Sequence, residues 1–469
     1  EAHPHFLIGS LLTQDGKLEE AAASFRRAIA LQPRHADALA QLGLVLARLG
    51  RRDEATRALE AALQQRPAQE CLHMLVDFLT DATDLRLGDA ALGAERRHQR
   101  IDLAGGDAAG VGLHDDGVEG LVDPPAWLEL IGPDRYRMRS TFVRIETDDG
   151  VHGIGGPIPE EQAYAVARQM RSLLVGQDPL AIEYHWDRIY RSMVHGRKGT
   201  EMMALSAVDC ALWDLKGRHL GQPVYRLLGG PTRESVPAYA SCLGFSVDPE
   251  RAAARAREFA AQGWRHQKWF FRHGPGSGKP GIESNVALVR ALREAVGPDD
   301  DIMLDAWMSW DLPYAIQVGR RIAEFHPRWV EEPVLPDKID QYAQVRRALN
   351  AMGIPVSGGE HEYTRWGLKQ LMDAQAVDVL QPDIYWCGGI SETLKILAIA
   401  STFDLPVIPH GHSTPATMHV IAAMPPNLCP LLEFLVKWNT VHQWFLKHPI
   451  WPTNGSVTVS VLDRPGVGM

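Results

Sequence analysis

The chain has 469 residues, enough for two or three domains, and 45% of them are hydrophobic, enough for a substantial core. Its formal net charge of −10 argues against a nucleic-acid surface or an anionic membrane as partner, yet leaves an anionic substrate open, because a bound metal ion inverts a local field. Five scattered cysteines (Cys71, Cys210, Cys242, Cys387 and Cys429) without CxxC spacing suggest a reduced, cytoplasmic compartment, and no apolar run approaches the roughly 20 residues that cross a bilayer.

The first segment repeats with a period of 34 residues: Gly9 matches Gly43, Gly16 matches Gly50, Ala21 matches Ala55, Phe25 matches Leu59, Ala28 matches Ala62 and Pro33 matches Pro67. This resembles the tetratricopeptide repeat, a pair of antiparallel helices per unit. Two units span about residues 2–69, and residues 1–80 are assigned to this helical array, with a third, degenerate unit expected because such stacks need about three. It is either a helical decoration or a surface for a peptide or protein partner. Residues 81–123, rich in Gly, Ala and Asp and without a steady period, are expected to be a linker; His114, Asp115 and Asp116 fall in it, with nothing around them that suggests an ordered metal site.

From residue 124 the pattern is that of a small α+β domain, 124–232. STFVRIETDDGVHGIGG predicts a hairpin that turns at Asp149–Gly150. Helices are expected at about 160–175, 179–194 and 200–219. Residues 233–439 then alternate strand and helix, with strands near 236–241, 264–270, 301–306, 328–332, 354–359, 377–381, 406–409 and 431–434. Eight strands in this order predict a (β/α)7β barrel of the TIM type. In the tail 440–469, NGSVTVS predicts a strand returning to the smaller domain.

A barrel gathers the carboxyl ends of its strands around one mouth, and here those ends carry polar residues: Lys268, Asp305, Glu331 with Glu332, Glu360 with His361, Asp383, His410 with His412, and Glu433. Asp305, Glu331 and Glu360 lie 26 and 29 residues apart, about one strand–helix unit, so three hard oxygen donors are expected to converge on Mg²⁺. Asp383 and His410 lie 27 apart, again one unit. Imidazole titrates near neutral pH and suits a base that removes the proton α to a carboxylate, with Asp383 fixing its tautomer. Metal coordination of that carboxylate lowers the barrier by stabilising the enediolate.

The order Asp, Glu, Glu, then an Asp–His pair resembles the enolase superfamily, mandelate racemase subgroup, over about residues 135–469. KWFFRHGP, MLDAWMSWD, GGEHE, QPDIYWCGG, PHGHS and the closing VLDRPGVGM are similar to the acid-sugar dehydratases of the rhamnonate type. The resemblance implies that Asp305, Glu331 and Glu360 bind Mg²⁺, that His410 and Asp383 form the acid/base dyad, and that Glu433 sits opposite as a carboxylic acid, its pKa raised by burial. The implied reaction is dehydration of a sugar acid to a 2-keto-3-deoxy acid, with His410 both taking the α-proton and protonating the departing hydroxyl. A symmetric homo-oligomer is also expected.

Lys268 separates neighbouring activities. A racemase of this pattern carries Lys-x-Lys on the second strand, whereas here His266 and Phe270 flank Lys268 at those positions. Lys268 is therefore assigned to the substrate carboxylate rather than to a second base. His361, His412 and Trp307 are placed at the pocket with substrate, Trp310 and Tyr385 are candidates for its apolar wall, and Trp386 is assigned to core packing. No first strand of the smaller domain is evident upstream. Arg135, Arg137 and Arg139 are the candidates to grip the distal part of a sugar acid, and HGRKG (195–199) is the candidate lid. The rival readings are an α-hydroxy-acid racemase or epimerase, and a catalytically idle scaffold that binds a partner through the repeats.

Overall fold

The structure, a computed structural model, describes residues 2–14, 17–33, 35–49, 51, 54–55, 57–58, 61–62, 99–111, 128–132 and 135–468. The chain divides into two compact units, residues 1–94 and 95–469. In the first, α1 (Ala2–Gln14), α2 (Leu18–Leu31) and α3 (Ala36–Arg48) follow one another in chain order. Helix α2 carries Glu19 and Glu20 in its first turn, where the helix dipole favours negative charge. It buries Ala21, Ala22 and Phe25 against Leu42, Val45 and Leu46 of α3, and Ala28 against Ala2 of α1 and Ala38 of α3. A Cβ at Gly9 would stand 2.6 Å from the Phe25 ring, so α1 needs a residue without a side chain there. The expected third unit, Cys71 and His114–Asp116 lie outside the described residues.

The second unit opens with a four-stranded sheet. Strand β3 (Arg135–Thr147) pairs antiparallel with β1 (Gln99–Val111) along one edge, while β2 (Leu128–Gly132) and β4 (His152–Ile158) share the other. The expectation of a linker through 99–111, and of a domain lacking its first strand, is therefore corrected. β1 is Gly- and Ala-rich, carries little alternating hydrophobicity, and takes its pairing from β3. The β3–β4 turn falls at Asp148–Val151, with Gly150 at φ 83°, a conformation that glycine adopts without strain. Helix Thr200–His219 lies on β4 so closely that a Cβ at Gly153 or Gly155 would come within 2.1 Å of the Ala211 or Ala207 carbonyl oxygen.

The barrel strands are β5 (Ser235–Ser241), β6 (His266–Phe270), β7 (Asp301–Asp305), β8 (Trp329–Glu331), β9 (Val356–Gly358), β10 (Val379–Leu380) and β11 (Leu432–Leu435). They form a curled parallel sheet in the order β10-β9-β8-β7-β6-β5-β11. The seventh strand expected at 406–409 is reduced to one parallel bridge, Leu380 to Val407, and the Val407 N–H reaches the Leu428 carbonyl at 2.7 Å. The tail strand β12 (Ser456–Thr458) pairs antiparallel with β5 of the barrel, not with the smaller domain as expected. Residues on either side of it reach that domain: Phe445 packs edge-on against Phe142 of β3, 5.9 Å between centroids, Asp214 Oδ1 accepts from Val467 N–H (2.7 Å), Asp214 Oδ2 accepts from Ile154 N–H (2.9 Å), and the Arg218 guanidinium pairs with Oδ2 at 2.8 Å.

Two interior layers place the site. Tyr239, Met303, Trp329, Val379, Ile408 and Leu431 form one buried apolar cluster. Side chains of a strand face the same way every second residue, so two positions further on stand Ser241, Asp305, Glu331, Gln381, His410 and Glu433. An apolar floor thus carries a polar layer at the carboxyl ends of the strands.

Candidate active site

Burial of the polar layer is nearly complete: Lys268, Glu331 and Glu433 are exposed by 1% or less, whereas His410 at 8% and Glu360 at 7% face the opening. The Lys268 ammonium lies 2.5 Å from Glu331 Oε1, 2.9 Å from Glu433 Oε1 and 3.1 Å from Asp305 Oδ2. Burial alone lowers a lysine pKa, but Glu331, Glu433 and Asp305 outweigh it and hold the ammonium charged. Lys268, assigned from the sequence to the substrate carboxylate, thus contacts three carboxylates of the protein.

Glu433, expected as a carboxylic acid, is pulled in two directions. Its burial raises the pKa, yet Lys268 and then His410 overcome that and draw it down to about 2. The neighbouring ammonium thus favours its ionised form, and its Oε2 accepts from Gly411 N–H at 3.1 Å. Burial pushes Asp305, Glu331 and Glu360 the other way, Glu360 to about 7.

Asp383 and His410 meet as their spacing suggests. Asp383 caps the short helix Ile384–Cys387, with Oδ1 accepting from Tyr385 N–H at 2.7 Å, and its Oδ2 lies 2.7 Å from His410 Nδ1. The ring is thereby oriented with Nε2 toward the carboxylates, 3.4 Å from Glu360 Oε1. Burial lowers the His410 pKa, but Glu360, Asp383 and Glu433 reverse this and raise it to about 10.

Glu332 follows β8 with φ 40° and turns its carboxylate to the His361 ring, Oε2 to Nδ1 2.7 Å. Glu332, Glu360 and His361 bring one ligand atom each within 4.8 Å of one another, a candidate acidic metal site among the described residues. Asp305 and Glu331, expected to complete the cage with Glu360, both contact the Lys268 ammonium. The donor set nevertheless fits a hard divalent cation: Asp305, Glu331, Glu332, Glu360 and Glu433 are all buried, and Lys268 is the one buried lysine beside them.

Rings build the wall. Trp307 is 61% exposed and stands 6.2 Å from His361, centroid to centroid. Trp386, assigned to the core from the sequence, is half-buried between His410 (5.3 Å), His361 (5.5 Å) and His412 (5.8 Å). Trp310 and Tyr385 are the buried ones: Trp310 packs on Phe271 and Tyr314, and the Tyr385 hydroxyl accepts from Gly156 N–H at 2.9 Å. The side chains of Arg135, Arg137 and Arg139 lie outside the described residues. In the 195–199 segment the Lys198 ammonium reaches Glu362 Oε1, 2.6 Å away in the loop after β9. Sequence reasoning missed Gln381, Ser241 and the turn of Glu332. The first two were findable by stepping two residues along each strand from the apolar floor.

A curled parallel sheet with acidic strand ends, an Asp–His pair at its mouth and an α+β domain ahead of it defines the class of the molecule. The enolase C-terminal domain-like model matches residues 251–469, and the mandelate racemase / muconate lactonizing enzyme N-terminal domain matches 135–229. The chain belongs to this family, the mandelate racemase and muconate lactonizing enzyme branch of the enolase superfamily. TPR repeat models match residues 9–50 and 36–69. The D-galactarolactone cycloisomerase of Agrobacterium fabrum is 37% identical over 71% of this chain and 89% of its own length. The L-rhamnonate dehydratase of Saccharopolyspora erythraea is 33% identical over 73% of this chain and 86% of its own. Among solved structures, rhamnonate dehydratase from Gibberella zeae complexed with Mg is 35% identical with a TM-score of 0.64, over 70% of this chain and 79% of that one.

Proposed function

We propose that this chain is a Mg²⁺-dependent hydro-lyase that dehydrates a sugar acid of the L-rhamnonate type to a 2-keto-3-deoxy acid. The observation that carries the reading is the oriented imidazole, with His410 Nδ1 on Asp383 and Nε2 toward Glu360 at the open side of the polar layer. Asp305, Glu331 and Glu360 would hold the ion, with Glu332 and His361 beside Glu360. When bound, Mg²⁺ lowers the cost of the negative charge that builds on the substrate carboxylate as its α-proton leaves.

The protein's own groups do the rest. With the charge of Glu360, the main cause of the raised His410 pKa, taken up by a bound cation, the neutral ring is accessible and His410 Nε2 takes the α-proton; the electron pair left behind forms the Cα–Cβ double bond as the Cβ–O bond breaks. The same Nε2 returns its proton to the departing hydroxyl, which leaves as water from that face. The enol then tautomerises to the 2-keto acid. Asp383 holds the ring and stabilises its charged form between the two transfers. Trp307, Trp386, His361 and His412 line the approach and contact the sugar hydroxyls. A homo-oligomer, and a peptide partner for the repeats, belong to the same proposal.

The 37% identical cycloisomerase favours a second reading, in which the leaving oxygen is part of a ring and the product is an isomer rather than a dehydrated acid. A semicarbazide screen for keto acids across open-chain sugar acids and their lactones, with product mass, separates the two: dehydration loses 18 mass units, isomerisation none. His410→Asn should lower turnover by roughly 10³-fold while the fold persists by circular dichroism. Full turnover in that variant would remove His410 from the reaction.

A further inference from the structure

Gln381 is a fully buried amide that neither the acid/base pair nor the three proposed cation ligands explain. It follows β10 and precedes Asp383, the partner of His410, by two residues. Its Nε2 donates to Glu331 Oε2 at 2.8 Å, and Trp329 Nε1 donates to the same oxygen at 3.3 Å. The other oxygen of that carboxylate, Oε1, faces the Lys268 ammonium. The two oxygens are therefore sorted: neutral N–H donors take Oε2, and positive charge takes Oε1.

Chemistry sets the orientation of the amide. Turned over, it would press a carbonyl oxygen against a carboxylate oxygen, and both are acceptors. In the orientation present, Gln381 Oε1 has no hydrogen-bond partner although it is sealed from solvent. A bare buried acceptor is costly, so the contact with Glu331 is what the side chain supplies in return.

We propose that Gln381 is a positioning residue for the divalent-cation site, holding Glu331 Oε2 so that Oε1 is presented to the cation. This rests on the reading that Asp305, Glu331 and Glu360 hold Mg²⁺, and goes beyond it by naming what aims the middle ligand. Because Gln381 and Asp383 lie two residues apart just after β10, the residue also ties the carboxylate cage to the segment that orients His410. Partners of this kind around a metal ligand typically set affinity by roughly 10–100-fold.

The test is calorimetric titration of MgCl₂ into the parent, Gln381→Leu and Gln381→Asn. Leucine removes the donor at similar volume; asparagine keeps the amide but falls one methylene short, and serves if leucine disturbs folding. Both variants are expected to bind Mg²⁺ roughly 10–100-fold more weakly, with metal-free melting curves close to the parent's. In turnover, the Mg²⁺ concentration for half-activation should rise by the same factor, while kcat at saturating Mg²⁺ recovers. Parent-like affinity in a folded variant overturns the proposal, and so does a loss of kcat that excess Mg²⁺ leaves unrepaired. A parent that binds no Mg²⁺ removes the metal reading and this inference together, and that result is distinct from a parent that binds while its variants match it.

Discussion

His419 stands on the fully buried helix Thr414–Ala423, its ring stacked on Tyr225 and its Nδ1 accepting from Tyr225 N–H at 3.1 Å. Burial draws its pKa down to about 4 against an ordinary 6.5, and the Val467 backbone offsets only part of that. Folding therefore requires the neutral ring. The stability this residue contributes is complete above pH 6.5 and is lost as pH falls toward 4, because the unfolded chain takes up a proton that the native ring refuses. The loss across that window is about 3 kcal/mol. Urea midpoints of the parent and of His419→Gln, followed from pH 7.5 to 4.5, should converge as pH falls; parallel curves would dismiss the account. Glu433 is the opposite case. Its position at a strand end was legible in the sequence, but burial by itself predicts a neutral acid, and the ionised form follows from an ammonium 2.9 Å away on a distant strand.

Among the elements, the segment 195–199 couples the smaller domain to the barrel. Lys198 is more than half exposed, whereas the Glu362 side chain it pairs with is 3% exposed and lies two residues beyond Glu360. Removing the ammonium leaves a buried carboxylate without its cation, and the loop carrying Glu360 and His361 must relax to hydrate it. Lys198→Ala should lower kcat/KM by roughly tenfold, since small misplacements of reacting groups are costly, and should speed proteolysis at 195–199; Lys198→Arg should restore most of both. Parent-like kinetics together with parent-like cleavage would sink the coupling. Strand β1 shows where element-level reading stops. Residues 99–111 lack the alternation that marks a half-buried strand, and nothing local signals that β3 offers them an edge. The seventh barrel strand errs the other way: 406–409 has the composition of a strand, but a single bridge is what forms.

At the scale of the whole molecule, concentrating buried carboxylates around one mouth makes native stability dependent on positive charge there. A ligand that binds only the folded state stabilises it by about 2.7 kcal/mol at 100 times its Kd. Saturating Mg²⁺ should therefore raise the melting temperature of the main transition by a few degrees, and a chelator should reverse the rise; an unchanged transition would deny that the cage holds a cation. The sequence by itself determined the repeats, the barrel and the side chains that reach its mouth. Helical spacing, the two-residue period of strands and a unit length near 27 residues are regular features of the chain and survive without coordinates. Only the tertiary structure decided the pairings and charge states: Lys268 among three carboxylates, Glu433 ionised, Glu332 on His361, Gln381 on Glu331 and Lys198 on Glu362. Those depend on distances of a few ångströms between residues far apart in sequence and on the loss of water around them, and neither quantity is written in local composition.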